Sequence, residues 1–165
     1  MADIVLIAHN LRSTHNIGSL LRTAEGLGVN LIILSGYTPY PLKKVDDRLP
    51  HLAQKIDKQI AKTALGAETL VNWQHREDIF VTIKNLKSDG YLVAGLEQSL
   101  NSIKLNEYRP PAKIALILGR EVEGLEAEVI TQCDLLIEIP MFGHKESFNV
   151  VQAAAMALYQ LQLVG

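Results

Sequence analysis

Cysteine is almost absent: Cys133 is the one cysteine in 165 residues. An intramolecular disulfide is therefore excluded, and no Cys/His cluster has the spacing of a zinc site. No run of about 20 apolar residues exists to cross a bilayer. The short apolar run from Ile4 to Ala8 has no basic segment ahead of it, so it is not a signal peptide. Charge of one sign is also lacking. A formal net charge of -2 does not advertise a nucleic-acid binder and leaves any such role to a local patch. No Gly-x-x-x-x-Gly-Lys phosphate loop is present, and Gly26-Leu-Gly28 falls at a helix end without a third glycine, which removes a dinucleotide reading. His9, His15, His51, His75 and His144 share no metal-ligand spacing, so no metal is expected. Repeats, low-complexity tracts and linkers are missing too. These absences leave a soluble cytoplasmic chain, read as a single domain over 1–165, long enough to bury a substantial core. Its 48% hydrophobic and 21% charged residues are ordinary globular values.

What is present alternates. Asp3 to His9 reads as a first buried strand, a continuous apolar run. Asn16 to Leu27 reads as a helix, with Leu20, Leu21, Ala24 and Leu27 on one face and Gly28 at its end. Val29 to Leu34 is a second strand. From Gly36 a long irregular segment opens, and such insertions usually carry function. Helical periodicity resumes over His51 to Ala64. Thr69 to Trp73 reads as a short strand, Arg76 to Lys87 as a helix and Tyr91 to Gly95 as a strand. Lys113 to Leu118 is a strongly apolar strand, Glu126 to Gln132 a short helix and Leu135 to Ile139 a last strand, stopped by Pro140. Gly143 permits a tight turn and a close backbone approach. Ser147 is a candidate N-cap for a final alanine-rich helix that is apolar on nearly every face. Such a helix should be buried on all sides, in part by a second copy of the chain. The predicted fold is α/β, a parallel sheet flanked by helices on both faces. Ligands in such sheets bind beyond the carboxyl ends of the strands, which points to the loops after Ala8, Leu118 and Ile139.

In the first loop, Asn16 can cap the helix, Gly18 allows something to pack closely, and Arg22 sits on the second helical turn. Its fork of donors suits a phosphate or an anionic transition state, although a capped helix with a surface arginine has the same pattern. In the second, Gly119 and Gly124 flank Arg120, Glu121 and Glu123 directly after a buried strand. That fits a backbone lying against a ligand, with Glu121 pointing at it. In the third, Ser147 and Asn149 sit where helix N-terminal donors are free to hold a ligand.

Taken in order, Asn16-x-Gly18-x-x-x-Arg22-x-Ala24, Leu118-Gly119-x-Glu121-x-x-Gly124-Leu125 and Ile139-Pro140-Met141-x-Gly143-x-x-x-Ser147-x-Asn149-Val150 resemble the three signature motifs of the TrmH-type branch of the SPOUT RNA methyltransferases. Lys62 to Glu68 is similar to the family's intermotif segment. The resemblance runs from residue 3 to about 162. It implies methyl transfer from S-adenosylmethionine to a ribose 2′-hydroxyl of RNA, with S-adenosylhomocysteine as product. It also implies a C-terminal deep trefoil knot, a rare exception to chain topology rules, and a homodimer formed through the first and last helices. The cofactor would be held around Leu118, Gly119, Glu121, Ile139, Met141, Ser147, Phe148 and Asn149. Backbone groups would read the adenine edge and apolar side chains enclose the ring. Arg120, Phe148 and the pair Val151-Gln152 depart from the family's commoner residues.

The same resemblance makes Arg22, from this or the partner subunit, the residue that activates the hydroxyl. A guanidinium is a poor base, so its expected role is electrostatic: stabilising the developing alkoxide and anchoring a phosphate. Glu121 would fix Arg22 or accept the proton, while Asn16, Ser147 and Asn149 position ribose and loop. RNA contacts are expected from Arg12, Tyr40, Lys43, Lys44, Arg48 and Arg120, with Tyr37 and Tyr40 suited to stacking on unpaired bases. No extra RNA-binding domain is read at either end, which tilts the expected substrate toward tRNA over rRNA. The alternatives are a non-catalytic RNA-binding or assembly protein of the same fold and an RNA base methyltransferase.

Overall fold

The structure, a computed structural model, describes residues 2–165. Seven strands form one sheet, in spatial order β3-β2-β1-β6-β4-β7-β5: β1 (Asp3–His9), β2 (Leu31–Ser35), β3 (Trp73–Arg76), β4 (Leu92–Leu96), β5 (Ile103–Lys104), β6 (Lys113–Leu118) and β7 (Leu135–Glu138). Every pairing is parallel. The helices are α1 (Thr14–Gly26), α2 (Pro50–Ala64), α3 (Ile79–Ser88), α4 (Ala127–Ile130) and α5 (Val150–Val164). Strands buried on both faces have little use for polar residues, which is why β1 and β6 read as unbroken apolar runs.

Alternation along each strand splits the core in two. Ile4, Leu6 and Ala8 of β1, with Ile114, Leu116 and Leu118 of β6, meet α1, α2 and α5. Val5, Ile7, Ala115 and Ile117 meet Ile79, Ile83 and Leu86 of α3 and Val129 of α4 on the other side. Helices thus cover both faces, as the alternation predicts. Gly18 permits the close approach expected of it: a side chain there would strike Thr63 and the backbone of Ile60 and Ala64 on α2.

Three local expectations change. The strand expected at Thr69 to Trp73 lies later, because Gly66 in the left-handed region leads into a single 3-10 turn over Ala67–Thr69. The true strand, Trp73–Arg76, is a half-exposed edge whose Gln, His and Arg hide it from an apolar-run search. The helix caps shift as well. Ser13 caps α1, its hydroxyl accepting from the Asn16 N–H, and Asn149 rather than Ser147 caps α5, accepting from the Val151 N–H at 2.8 Å. Gly143 has open space around it, so no backbone approaches there.

The last helix buries only one side within this chain, through Ala154, Ala157, Leu158 and Leu161, and leaves Met156, Tyr159 and Leu163 exposed. β7 lies between β4 and β5, which are consecutive in sequence. The chain after β4 therefore passes over the slot that β7 occupies, with the Glu97 N–H donating to the Ile137 carbonyl and the Leu105 N–H to that of Glu138. No helix among the described residues is long and apolar enough to cross a membrane.

Candidate active site at the carboxyl edge of the sheet

Parallel strands all end on one edge, and the loops after β1, β4, β6 and β7 meet there. After β6 the chain makes a tight turn, in which Arg120 and Gly124 exchange two backbone hydrogen bonds of 3.1 Å. Gly119 lets this turn fold back on itself, since a side chain there would collide with the backbone of Gly124 and Leu125. Gly124, at φ +72°, is in the region that favours glycine.

The turn aims Glu121 across at the start of α1. Its carboxylate accepts from the N–H groups of Arg12 (3.2 Å) and Ser13 (3.1 Å) and from the Asn16 side chain (3.4 Å). Asn16 Oδ1 in turn accepts from Asn149 Nδ2 at 3.5 Å. A line of polar contacts, Glu121–Asn16–Asn149, therefore joins the three loops. Partial burial pushes the Glu121 carboxyl up, but the N–H groups of its own residue, Ser13 and Arg12 and the Asn16 amide together hold it below the ordinary carboxylate value. A carboxylate so supplied with donors is an anchor and a poor proton acceptor. Within one chain the Glu121 bonds go to residues 12, 13 and 16, and Arg22 of the same chain does not reach it.

A cleft opens beside this line. Leu118, Gly119, Glu121, Ile139, Ser147 and Phe148 line it, as do Arg120, Ile137, Val150 and Ala153. Of the residues expected around a cofactor, Met141 and Asn149 stand outside the lining. One wall is apolar. The remainder carries four carboxylates, Glu97, Glu121, Glu123 and Glu138, against the single guanidinium of Arg120. That lining favours a ligand with an apolar ring and a positive charge.

Arg120 is half-buried, with Nε 3.7 Å from Glu126 and 4.0 Å from Glu123. Behind it, Asn10 adopts φ +54°, which asparagine tolerates. It donates to Glu126 (2.9 Å) and to His9 Nε2 (3.2 Å), while its carbonyl accepts from the Tyr37 N–H. His9 Nδ1 lies 3.1 Å from Ser35 Oγ, and Nε2 also lies 3.4 Å from Glu126 Oε2, so both ring nitrogens have polar partners. Burial disfavours charge on His9; against the pull of Glu126, and helped by Arg120, it keeps the imidazole pKa below its ordinary 6.5.

Arg22 is exposed and borders a groove with Thr23, Leu27, Ala155, Met156 and Tyr159, on the bare side of α1 and α5. It is not part of its own chain's cleft. The expected RNA contacts also divide. Arg12, Lys44 and Tyr37 are exposed and Lys43 partly so. Tyr40 and Arg48 face inward, contrary to expectation. The Tyr40 ring is buried, stacked on His75 at 4.1 Å and covered by Arg48 at 3.7 Å, so no base can stack on it. Arg48 is engaged by Asp46 (2.6 and 2.8 Å) and by the carbonyls of Tyr40 and Pro41 (both 3.0 Å). Glu97 and Gln98, which also line the cleft, were not anticipated. They lie just beyond Leu96, after a strand expected to end at Gly95, and the rule that ligands sit beyond strand ends could have found them. No cluster of metal-ligating side chains occurs among the described residues.

A fully parallel sheet, covered on both faces, with a cleft where glycine-bearing turns gather at its carboxyl edge, defines an α/β domain built to hold a small ligand. The chain belongs to the SpoU rRNA Methylase family, which matches residues 3–159. It is 31% identical over 157 residues to a putative TrmH family tRNA/rRNA methyltransferase of Staphylococcus aureus (strain COL), covering 95% of this chain and 57% of that protein. The chain thus spans a little over half the length of the curated relatives it matches. Its fold is shared with the AdoMet-bound rRNA methyltransferase from Sinorhizobium meliloti, at TM-score 0.81 and 19% identity over 98% of this chain and 56% of that one. The A. aeolicus TrmH/SpoU tRNA modifying enzyme is similar at TM-score 0.79 and 22% identity over 99% of this chain and 75% of that one.

Proposed function

We propose that this protein transfers a methyl group from S-adenosylmethionine to a ribose 2′-hydroxyl of RNA, tRNA ahead of rRNA, and releases S-adenosylhomocysteine. It does so as a cytoplasmic homodimer. The observation that carries this reading is the cleft: an apolar wall and an acidic rim, joined to the start of α1 by the Glu121–Asn16–Asn149 contacts, in a chain of this family. When bound, S-adenosylmethionine supplies an activated methyl on a positively charged sulfur. Leu118, Ile139 and Phe148 would flank its adenine, and the carboxylate-rich rim would favour its charge. Met141 and Asn149, outside the lining, are assigned to holding the segment that closes the site.

The reaction also needs the 2′-oxygen aligned and partly stripped of its proton, with water kept out. Arg22 is assigned to stabilise the developing alkoxide and to hold the neighbouring phosphate. Because Arg22 lies on the bare face of α1 and α5, the subunit that uses it is the partner: two copies joined across Met156, Tyr159 and Leu163 would cover those residues and present each Arg22 to the other chain's cleft. Asn16, Ser147 and Asn149 position ribose and loop, and Glu121 anchors them. Arg12, Lys43, Lys44 and Tyr37 form the outer RNA surface, with Arg120 at the mouth of the cleft. The passage of β7 between β4 and β5 supports reading this region as the family's trefoil knot.

The test is incubation of the protein with methyl-labelled S-adenosylmethionine and RNA, followed by nucleoside mass spectrometry. A labelled 2′-O-methyl nucleoside is expected. Label on a base would make the protein a base methyltransferase. Absence of both label and cofactor binding would leave an RNA-binding scaffold.

A further inference from the structure

The segment after β4 supplies a fourth loop to the cleft, and it touches both of the loops that enclose it. Glu97 Oε2 accepts from the Leu125 N–H at 2.9 Å, at the end of the glycine turn, while Oε1 accepts from the Gln98 N–H at 3.0 Å. The fit is close: a side chain at Gly124 would run into the Glu97 carboxylate. Gln98 Nε2 reaches the other way and donates to the Glu146 carbonyl at 3.0 Å. That bond matters because Phe142 to Asn149 are all exposed. Among the described residues, it is the only hydrogen bond between residues 140–148 and the rest of the chain. Beneath both, the Glu97 N–H is fixed to the Ile137 carbonyl at 3.0 Å, so the pair is built on the sheet.

We propose that Glu97 and Gln98 are positioning residues that set the width of the cofactor cleft. Glu97 fixes the glycine turn on one side, and Gln98 holds the 140–148 segment on the other. This rests on the cleft being the S-adenosylmethionine site. A charge-assisted hydrogen bond to a backbone N–H is stronger than a neutral one, and losing it leaves that N–H without a partner. The turn would then be free to leave the conformation the ligand needs, and the ligand must restore it on binding.

The experiment is calorimetric titration of S-adenosylmethionine into the full chain, alongside thermal unfolding of the ligand-free protein. Glu97→Ala is expected to raise Kd by about ten- to a hundredfold, with Tm lowered by only a few degrees. Glu97→Gln keeps an oxygen for the Leu125 N–H and should recover most of the affinity, a rescue that general loss of structure would not give. Gln98→Ala is expected to raise Kd by about fivefold, the size of one neutral hydrogen bond. Should Glu97→Ala fail to fold, the Gln98→Ala affinity still decides, together with amide exchange at Leu125, expected to be slow in the wild type and faster in Glu97→Gln; unchanged values of both overturn the inference. Wild-type binding with undiminished affinity in Glu97→Ala and Gln98→Ala overturns this inference alone. A wild type that binds no S-adenosylmethionine, with RNA present, overturns the functional reading and this inference with it.

Discussion

Two long segments leave the carboxyl edge of the sheet, and they differ in what their polar groups do. Residues 36–49, after β2, turn Tyr40 and Arg48 inward while Tyr37, Lys44 and Val45 stay exposed. Arg48 bonds to Asp46 and to two carbonyls of the same segment, its plane covers Tyr40, and Tyr40 stacks on His75. The Arg48 side chain holds the Asp46 carboxyl well below the usual carboxylate range. Residues 140–148, after β7, do the opposite: they are largely exposed, with Phe142 97% accessible, and a single hydrogen bond from Gln98 reaches them. A loop whose cations and aromatics are matched to one another is a finished piece of structure. A loop with few internal bonds beside an apolar-walled cleft belongs to the low-stability end of the structure and is free to adjust.

The largest expected effect lies outside both segments. Arg22→Ala should lower the methyl-transfer rate by about a hundred- to a thousandfold, with at most a small change in Tm, because the side chain is exposed within its own chain. Arg22→Lys with full turnover would show that the forked donor geometry is not required. Next comes Gly124→Ala. Its φ of +72° and the Glu97 carboxylate beside it predict a loss of about 1–3 kcal/mol of stability, read by urea unfolding, with cofactor affinity lost as well.

The two segments can then be set directly against each other. Arg48→Ala should cost about 2 kcal/mol of stability, visible as a lowered urea midpoint. Lys43 Nζ also lies 4.6 Å from the Tyr40 ring, so the double variant Lys43→Ala, Lys44→Ala should cost less stability than Arg48→Ala while weakening RNA binding and reducing its salt dependence by about two phosphate contacts. Equal effects of the two changes on RNA affinity would erase the distinction between pinned and free cations.

Sequence patterns carried the architecture further than the site. The apolar runs of β1 and β6 were legible because strands buried on both faces leave no room for polar residues. Trp73–Arg76, an edge strand with a polar composition, was not. Convergence of the three motif loops was implied by resemblance, whereas the line Glu121–Asn16–Asn149 that joins them is a matter of distances no spacing reveals. Tyr40 and Arg48 mislead for a related reason. A tyrosine and an arginine in a basic loop look the same in sequence whether they face RNA or each other, and Asp46, two residues from Arg48, was the available sign. Glu97 and Gln98 were overlooked because no motif marks them.

The smallest expected effect is one of pH, and it belongs to the network behind Arg120. Unfolded His9 titrates at its ordinary 6.5, while burial makes the folded imidazole resist protonation until lower pH. Between those values the unfolded chain holds more protons, so stability falls as pH drops below 6.5 and levels off once folded His9 also titrates. Glu121 and Glu126 have the opposite charge type but the same outcome. Burial pushes both carboxyls up, and their hydrogen-bond donors more than reverse it. Their contribution is present above 4.5 and is lost as pH falls through the lowered folded values. Urea unfolding from pH 7 down to about pH 3 should show a shallow decline below 6.5 and a further one below 4.5, and His9→Gln should flatten the first part alone.

The most direct test is to follow the backbone amides by two-dimensional NMR as S-adenosylmethionine is added to the protein. Shifts are expected at Gly119, Glu121, Gly124 and Leu125, and over Ile139 to Val150, with residues 36–49 unmoved. Shifts confined to residues 36–49, or an unchanged spectrum for the glycine turn at saturating ligand, would contradict it.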